Sequence, residues 1–350
     1  NSDDADARTA TAAHATDITR ATMTAYAEAI RTTLAGTPIG RLDESTAGAI
    51  VADLFRRSKR DDAARAELPE FTVFDGNVRK LLRGPIDPTQ PDNALADLPA
   101  ATLATLPAAI AEYRSTLVAP PPPEYFTLED AVREFGSGVS SWAKVRVILL
   151  VRGPTDDPND DVLLELKELT DSTIAGLYPP GRYADDVRAR VIDGARHAWA
   201  RPDAEPLWGV TTLEGLDCQI KTETEAFKTV RVAKMVGDLG TADALTALGT
   251  TLGQLLARVH TTKVQGVDDA AQAIWNVIGQ DENGFVEEQV ALADTYAAEM
   301  VDDQNRFRRA LQSLGPSLGI PNDPADRPLG DLAALLGVPP ASPAPEAPSP

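Results

Sequence analysis

The stretch Gly136-Ser-Gly-Val-Ser-Ser-Trp-Ala-Lys-Val-Arg146, followed by the apolar run ending at Val151 and then by Leu164-Glu-Leu-Lys-Glu168, constrains this chain more than any other. Short runs rich in β-branched residues and bounded by turn formers favour strands over helices. Three strands are expected: Thr127–Phe135, Lys144–Arg152 and Val162–Glu168. The glycine segment joins the first two, and the polar loop Pro154–Asp161 joins the second to the third. Lys167 lies on the third strand.

Backbone amides in a glycine turn can cover phosphate groups, and a strand lysine can neutralise them; a protein-kinase-like small lobe uses this order. A lysine on an exposed edge strand beside a hairpin has the same local sequence. Lys167 is therefore either a phosphate contact or a solvated surface residue. Glu168 should point to the opposite face of its strand and act as an external or supporting residue.

Composition narrows the partners. The 350 residues leave room for two domains or one large layered one. A formal charge of −20 argues against nucleic acid or anionic lipid, which attract clustered lysine and arginine. No apolar run approaches the length of a membrane span. The single cysteine, Cys218, excludes an internal disulfide framework and fits a reducing, cytoplasmic setting. The first residue is Asn1, with no leader pattern after it, so a processed product or a fragment of a longer gene is expected.

Along the chain, apolar residues at three- and four-residue steps predict helices over Thr16–Leu34, Asp43–Ser58, Ala100–Leu117, Tyr183–Ala200, Thr241–Thr261 and Glu287–Leu314. Arg56, Arg57, Lys59 and Arg60 are expected as a solvated basic C-terminal turn of the second of these. Phe71–Leu82 reads as a hairpin turning at Asp75-Gly76, followed by proline-spaced loops. Leu207–Thr212, Cys218–Thr222 and Phe227–Met235 read as extended, with a turn over Gly237–Gly240. The stiff run Pro120–Pro123 is placed as the main boundary. The expected parts are 1–119, helical with a hairpin; 124–240, β-rich and nucleotide-binding-like; 241–315, C-terminal helices; and 316–350, a proline-rich disordered tail.

Several segments in order resemble a bacterial family known as domain of unknown function 2252. They are Gly138-Val-Ser-Ser-Trp-Ala-Lys-Val-Arg146, Leu163-Leu-Glu-Leu-Lys-Glu168, Arg190-Val-Ile-Asp-Gly-Ala-Arg196, Phe227-Lys-Thr-Val-Arg231, Leu252–His260 and the Tyr296-Ala pair with Val301-Asp-Asp303. The resemblance covers roughly Ala21 to Leu311. It implies an α+β, protein-kinase-like fold akin to aminoglycoside phosphotransferases: a small antiparallel β lobe plus a helical lobe, circularly permuted, with ATP and magnesium as cofactors. Two departures stand out. Ser140 and Ala143 replace loop glycines, which makes a phosphate cradle less permissive. The family's G-D-x-H-L-x-N-F-G and D-F-D segments, which resemble catalytic and metal-binding loops, do not occur in this chain.

On the kinase-like pattern Gly136, Gly138, Ser140 and Ser141 line the nucleotide loop, Lys167 meets the phosphates, and Asp193, 26 residues on, pairs with Lys167. Arg146 and Arg231, set in apolar strands, need a carboxylate such as Glu165 or a phosphate. His260 reads as a satisfied structural histidine. Asp156–Asp161 lacks calcium-loop spacing and reads as a solvated turn. Asp302 and Asp303 point too far apart to chelate together, which suits capping or pairing with Arg306. No Ser-His-Asp order, zinc spacing, Walker loop or dinucleotide fingerprint occurs. Two functions remain open: a nucleotide-binding kinase-like protein lacking its catalytic loop, and a non-catalytic interaction or scaffold module with a degenerate nucleotide site.

Overall fold

The central strands are apolar on both faces along much of their length and carry charged residues towards one end of the sheet, which organises one of the two units. The structure, a computed structural model, describes residues 14–37, 39–87, 90–135, 144–172, 177, 186–198, 205–230, 239–262 and 269–314. It is mixed α+β with antiparallel sheets. The chain forms two compact units. One comprises Asn1–Ala66, Arg190–Ala204 and Thr224–Ala298; the other comprises Glu67–Ala189, Glu205–Glu223 and Glu299–Pro350.

The second unit begins with the short helix α3 (Glu67–Phe71) and the hairpin β1 (Thr72–Asp75) and β2 (Val78–Leu81). Asp75 pairs with Val78, so the two turn residues are Gly76 and Asn77, one step beyond the expected pair. Gly76 has φ +65°, the left-handed region where a glycine is favoured. A seven-stranded sheet follows in the order β3-β4-β5-β6-β7-β9-β8. Its strands are β3 (Gly84–Asp87), β4 (Gln90–Asp97), β5 (Leu128–Phe135), β6 (Arg146–Val151), β7 (Val162–Glu168), β8 (Gly209–Leu213) and β9 (Leu216–Thr222).

One face of this sheet packs against helix α4 (Ala100–Thr116). Val147, Leu149, Val151, Leu164, Leu166 and Ile220 meet Leu106, Ile110 and Tyr113 there in one buried cluster. The helix is also tied to β8: Thr211 donates to Ala109 O at 2.7 Å, and the Glu112 carboxylate accepts from Thr212 N at 2.8 Å. On the other face Val132, Ile148, Leu150 and Leu163 are covered by Leu68, Phe71 and Leu81. Asp130 fixes the hairpin to the sheet by accepting from Leu81 N at 2.9 Å and pairing with Arg83 at 3.0 Å.

The first unit centres on α1 (Ala15–Leu34) and α6 (Ala242–Thr261). Gly249 and Gly253 let the two helices touch backbone to backbone. A Cβ at Gly253 would run into Thr22 O, and one at Gly249 would lie 2.6 Å from Ile18 O. Tyr26, Ala27, Ile30 and Ala257 pack there with Ile278 of α7 (Ala270–Ile278). Helix α2 (Ala49–Ala64) adds Ile50 to a second cluster with Ala244 and Leu245. Thr241 caps α6 and Asp269 caps α7, each accepting an amide of the first turn. Helices α5 (Val187–Ala198) and α8 (Glu282–Leu314) each contribute to both units.

Several expectations change. Residues 83–99, expected as loops, contain β3 and β4, which pair into the large sheet, so strands on both sides of Pro120–Pro123 share one sheet. Helix α2 starts at Ala49, because Asp43 accepts from the amides of Ser45 and Thr46 and closes a separate turn. The helix also runs on to Ala64, so the basic residues lie within it, and three are paired: Arg57 with Asp53 at 2.8 Å, Lys59 with Glu44 at 2.8 Å and Arg60 with Asp61 at 2.6 Å. Asp161 is buried, not solvated, with Arg79 Nε 3.4 Å away. Helix α7 had no sequence-based expectation.

Candidate functional site

Strand alternation puts the charged residues of the central strands on one face. Val147 and Leu149 of β6, Leu164 and Leu166 of β7, and Cys218 and Ile220 of β9 all face α4. Their neighbours Arg146, Glu165, Lys167, Lys221 and, just past β9, Glu223 therefore share the opposite face, as does Glu134 of β5. This charged area continues the apolar patch under the β1–β2 hairpin.

A row of ion pairs crosses four neighbouring strands. The Arg146 guanidinium reaches Glu134 on β5 at 3.2 Å and Glu165 on β7, and Lys221 on β9 reaches the second oxygen of Glu165 at 3.4 Å. Glu134 and Glu165 are only 5% and 3% exposed, so their charges depend on these partners. The expectation that Arg146 needs a carboxylate such as Glu165 is met, and Glu134 is a second partner that spacing did not reveal.

Lys167 is Arg146's register partner across β6 and β7 and is half-buried. Burial lowers its ammonium's affinity for a proton; Glu165 opposes this, and Arg146, Lys144 and Lys221 add to it. Glu168 closes the same end of the strand pair. Its carboxylate accepts from Val145 N at 2.9 Å, and its amide donates to Val145 O at 2.9 Å. Lys144 Nζ donates to Thr170 Oγ1 at 2.8 Å.

Glu223 was not singled out in the sequence. Its amide donates to Leu163 O at 2.9 Å, which keeps the chain beside β7 after β9 ends. Burial raises its carboxyl to about 8, and the charges of Glu165 and Glu134 act in the same direction, against Lys221 and Arg146.

The remaining expected residues fall elsewhere. Gly136, Gly138, Ser140, Ser141 and Arg231 lie outside the described residues. Asp193 is exposed on α5 within the first unit, whereas Lys167 belongs to the second. The His260 Nδ1 lies 3.0 Å from the Tyr26 hydroxyl, so a phenol satisfies this histidine. Arg306 pairs with Asp303 at 2.6 Å, as the spacing suggested.

Lys167 lines neither of two concave regions among the described residues. A groove of about 960 Å³ in the first unit is lined by α1, Ile39–Leu42 and α6, with Arg41 and Thr250 among its residues. A cleft of about 400 Å³ in the second unit is lined by Arg79, Glu129, Arg152 and Asp161. Among the described residues, no group of three or more histidine, cysteine, aspartate or glutamate side chains is arranged to hold a metal ion, and no helix is long and apolar enough to cross a membrane.

The charged face thus offers Lys144 and Lys167 beside the row Glu134–Arg146–Glu165–Lys221, at the sheet end from which the Gly136–Ala143 segment departs. Such a face can hold an anion. Among the described residues it contains no nucleophile–base pair. Comparisons of this chain with protein-family models, curated proteins and solved structures give no match.

Proposed function

We propose that this protein binds a nucleotide in a kinase-like small lobe, with Lys167 meeting the phosphates and ATP as the ligand class. One observation carries the proposal. Strands β5, β6 and β7 lie side by side in that order, and the glycine-containing segment joins the first two at the end where Arg146 faces Lys167. The described residues that flank this segment, Phe135 and Lys144, end at the same edge of the sheet as Lys167, where backbone amides and a lysine would together suit phosphates. Magnesium commonly binds through one or two carboxylates together with substrate phosphates, so it would enter with the nucleotide.

The resemblance to domain of unknown function 2252 supports the same conclusion from motif order alone. The chain lacks that family's catalytic-loop segments, so phosphoryl transfer by these residues is not part of the proposal. Calorimetric titration with ATP and magnesium provides the test. Saturable binding that is weakened at least tenfold in Lys167→Ala supports it, and binding unchanged in the variant overturns it.

A second function, as a non-catalytic interaction module with a degenerate nucleotide site, is favoured by two features. Arg146 and Lys221 are already engaged by Glu165, and Ser140 and Ala143 stand in place of loop glycines. A null ATP titration with a folded protein selects it.

A further inference from the structure

The groove of about 960 Å³ in the first unit has three sides, each fixed by packing within that unit. Helices α1 and α6 run side by side in the same direction, since Gly249 lies against Ile18 O and Gly253, about one turn on, against Thr22 O. The third side is the strap of residues 39–46, which is held at both ends. Ile39 packs against the cluster of Tyr26, Ile30 and Ala257. At the other end Asp43 closes its turn with the amides of Ser45 and Thr46, and Gly48 follows so close to α6 that a Cβ there would lie 2.7 Å from Ala247 Cβ. The groove is therefore formed before any ligand enters, as small-molecule sites commonly are.

Its lining is part apolar and part polar. Ala21, Ala25 and Ala29 of α1 line it together with Ile39 and Leu42 of the strap. Of its charged residues, Asp17 pairs with Arg20 at 3.8 Å, Arg20 with Glu287 at 2.9 Å, and Glu28 with Arg31. Arg41 differs: among the described residues it has no hydrogen bond or ion pair. The hydroxyls of Thr24 and Thr246 and the half-buried amide of Gln254 are likewise uncommitted among the described residues.

We propose that this groove binds a small monocarboxylic acid with an apolar body, its carboxylate on Arg41. A guanidinium offers a carboxylate two parallel N–H donors, and the volume is that of a small-molecule cleft. One uncommitted cation matches one negative charge. A phosphate dianion would keep an uncompensated charge beside Asp17 and Glu28, and a cation would meet Arg41. Arg41 is exposed, so its pairing contributes modestly, and burial of the hydrocarbon body against the alanines, Ile39 and Leu42 has to supply the rest. The acid must therefore carry both parts. The net charge of −20 gives no general attraction for anions, which leaves recognition to Arg41. The site uses no residue of the nucleotide proposal, since Lys167 belongs to the other unit.

The full chain, isotopically labelled, is titrated with octanoate, octanol and inorganic phosphate, and backbone amide shifts are followed by NMR. Octanoate should bind saturably and move the amides of Thr24, Ile39, Arg41 and Gln254. Octanol has the chain without the charge and phosphate the charge without the chain, and each should bind about fivefold more weakly or worse. Arg41→Gln should weaken octanoate about fivefold, the upper end for a pair that stays partly in water, and leave octanol unchanged. Arg56→Gln, which removes an exposed cation of α2 that does not line the groove, should change neither. Because Arg41 is exposed and uncommitted, its replacement should leave the thermal unfolding midpoint where it was. Octanoate that does not saturate, or that moves only the amides around the exposed Leu252, Leu255 and Leu256, overturns the inference. So does octanoate affinity unchanged in Arg41→Gln, or octanol or phosphate binding as tightly as octanoate.

Discussion

Arg146 holds two nearly inaccessible carboxylates on neighbouring strands, which makes it the residue whose loss the second unit should tolerate least. Arg146→Leu leaves Glu134 buried without its guanidinium and Glu165 with the more distant lysine ammonium of Lys221 at 3.4 Å. Removing one partner of a buried pair costs about 3–5 kcal/mol, far more than the pair contributes over an apolar substitute. Urea unfolding should show that loss, and the double change Arg146→Leu with Glu165→Leu should recover part of it. Cys218 makes the opposite case of a buried group with only a weak partner, its thiol donating to Leu216 O at 3.5 Å. Its thiol is fully buried against α4, and burial pushes it up to about 12. It should resist a thiol reagent at pH 8 in the native state and react at the rate of a free thiol in denaturant. The need of Arg146 for an acid could be read from its apolar strand. The raised carboxyl of Glu223 could not, because its two carboxylate neighbours are brought to it by pairing between strands distant in sequence.

Among the elements, the crossing of α1 and α6 depends on two positions without side chains. Gly253→Ala places a Cβ against the carbonyl of Thr22, which is backbone and cannot swing aside. Overpacking of this kind costs about 1–3 kcal/mol. Leu252→Ala, next in sequence but exposed, should change stability by no more than about 0.5 kcal/mol. Thermal unfolding of the two variants compares them directly. The helix itself was legible from its apolar spacing, and β7 from its bounded apolar run. The strands β3 and β4 were not, because Pro85, Pro91, Asp92 and Asn93 argue against strand locally. Pairing of β4 with β5 overrides that local preference. Helix α2 was displaced for the converse reason: a local Asp43 turn claimed residues that periodicity had given to the helix.

For the whole molecule the excess of twenty negative charges decides how stability responds to solution conditions. Self-repulsion of this size destabilises a compact state, and added salt screens it over about 10 Å at 0.1 M. Salt also weakens exposed pairs such as Lys59–Glu44 and Lys80–Asp75, but such pairs contribute about 0–1 kcal/mol each. Raising sodium chloride from about 0.02 to 0.2 M should therefore raise the melting temperature, and a fall would show that the surface pairs outweigh the repulsion. The pH response has the same origin. As pH falls from 8 towards 5, carboxylate repulsion declines and Glu223 regains its proton, whose retention in the folded state contributes up to about 1.4 kcal/mol per pH unit. Asp43, Asp61, Asp75, Asp186 and Glu287 act in the other direction. Hydrogen bonds from Ser45, Arg60, Lys80, Arg188 and Arg20, respectively, depress their carboxyls, so their contribution is full above the ordinary carboxylate range and is lost only below it. The two trends cross between them. Maximum stability is expected near pH 5 to 6, and unfolding midpoints measured at intervals from pH 4 to 9 should peak there instead of at neutrality.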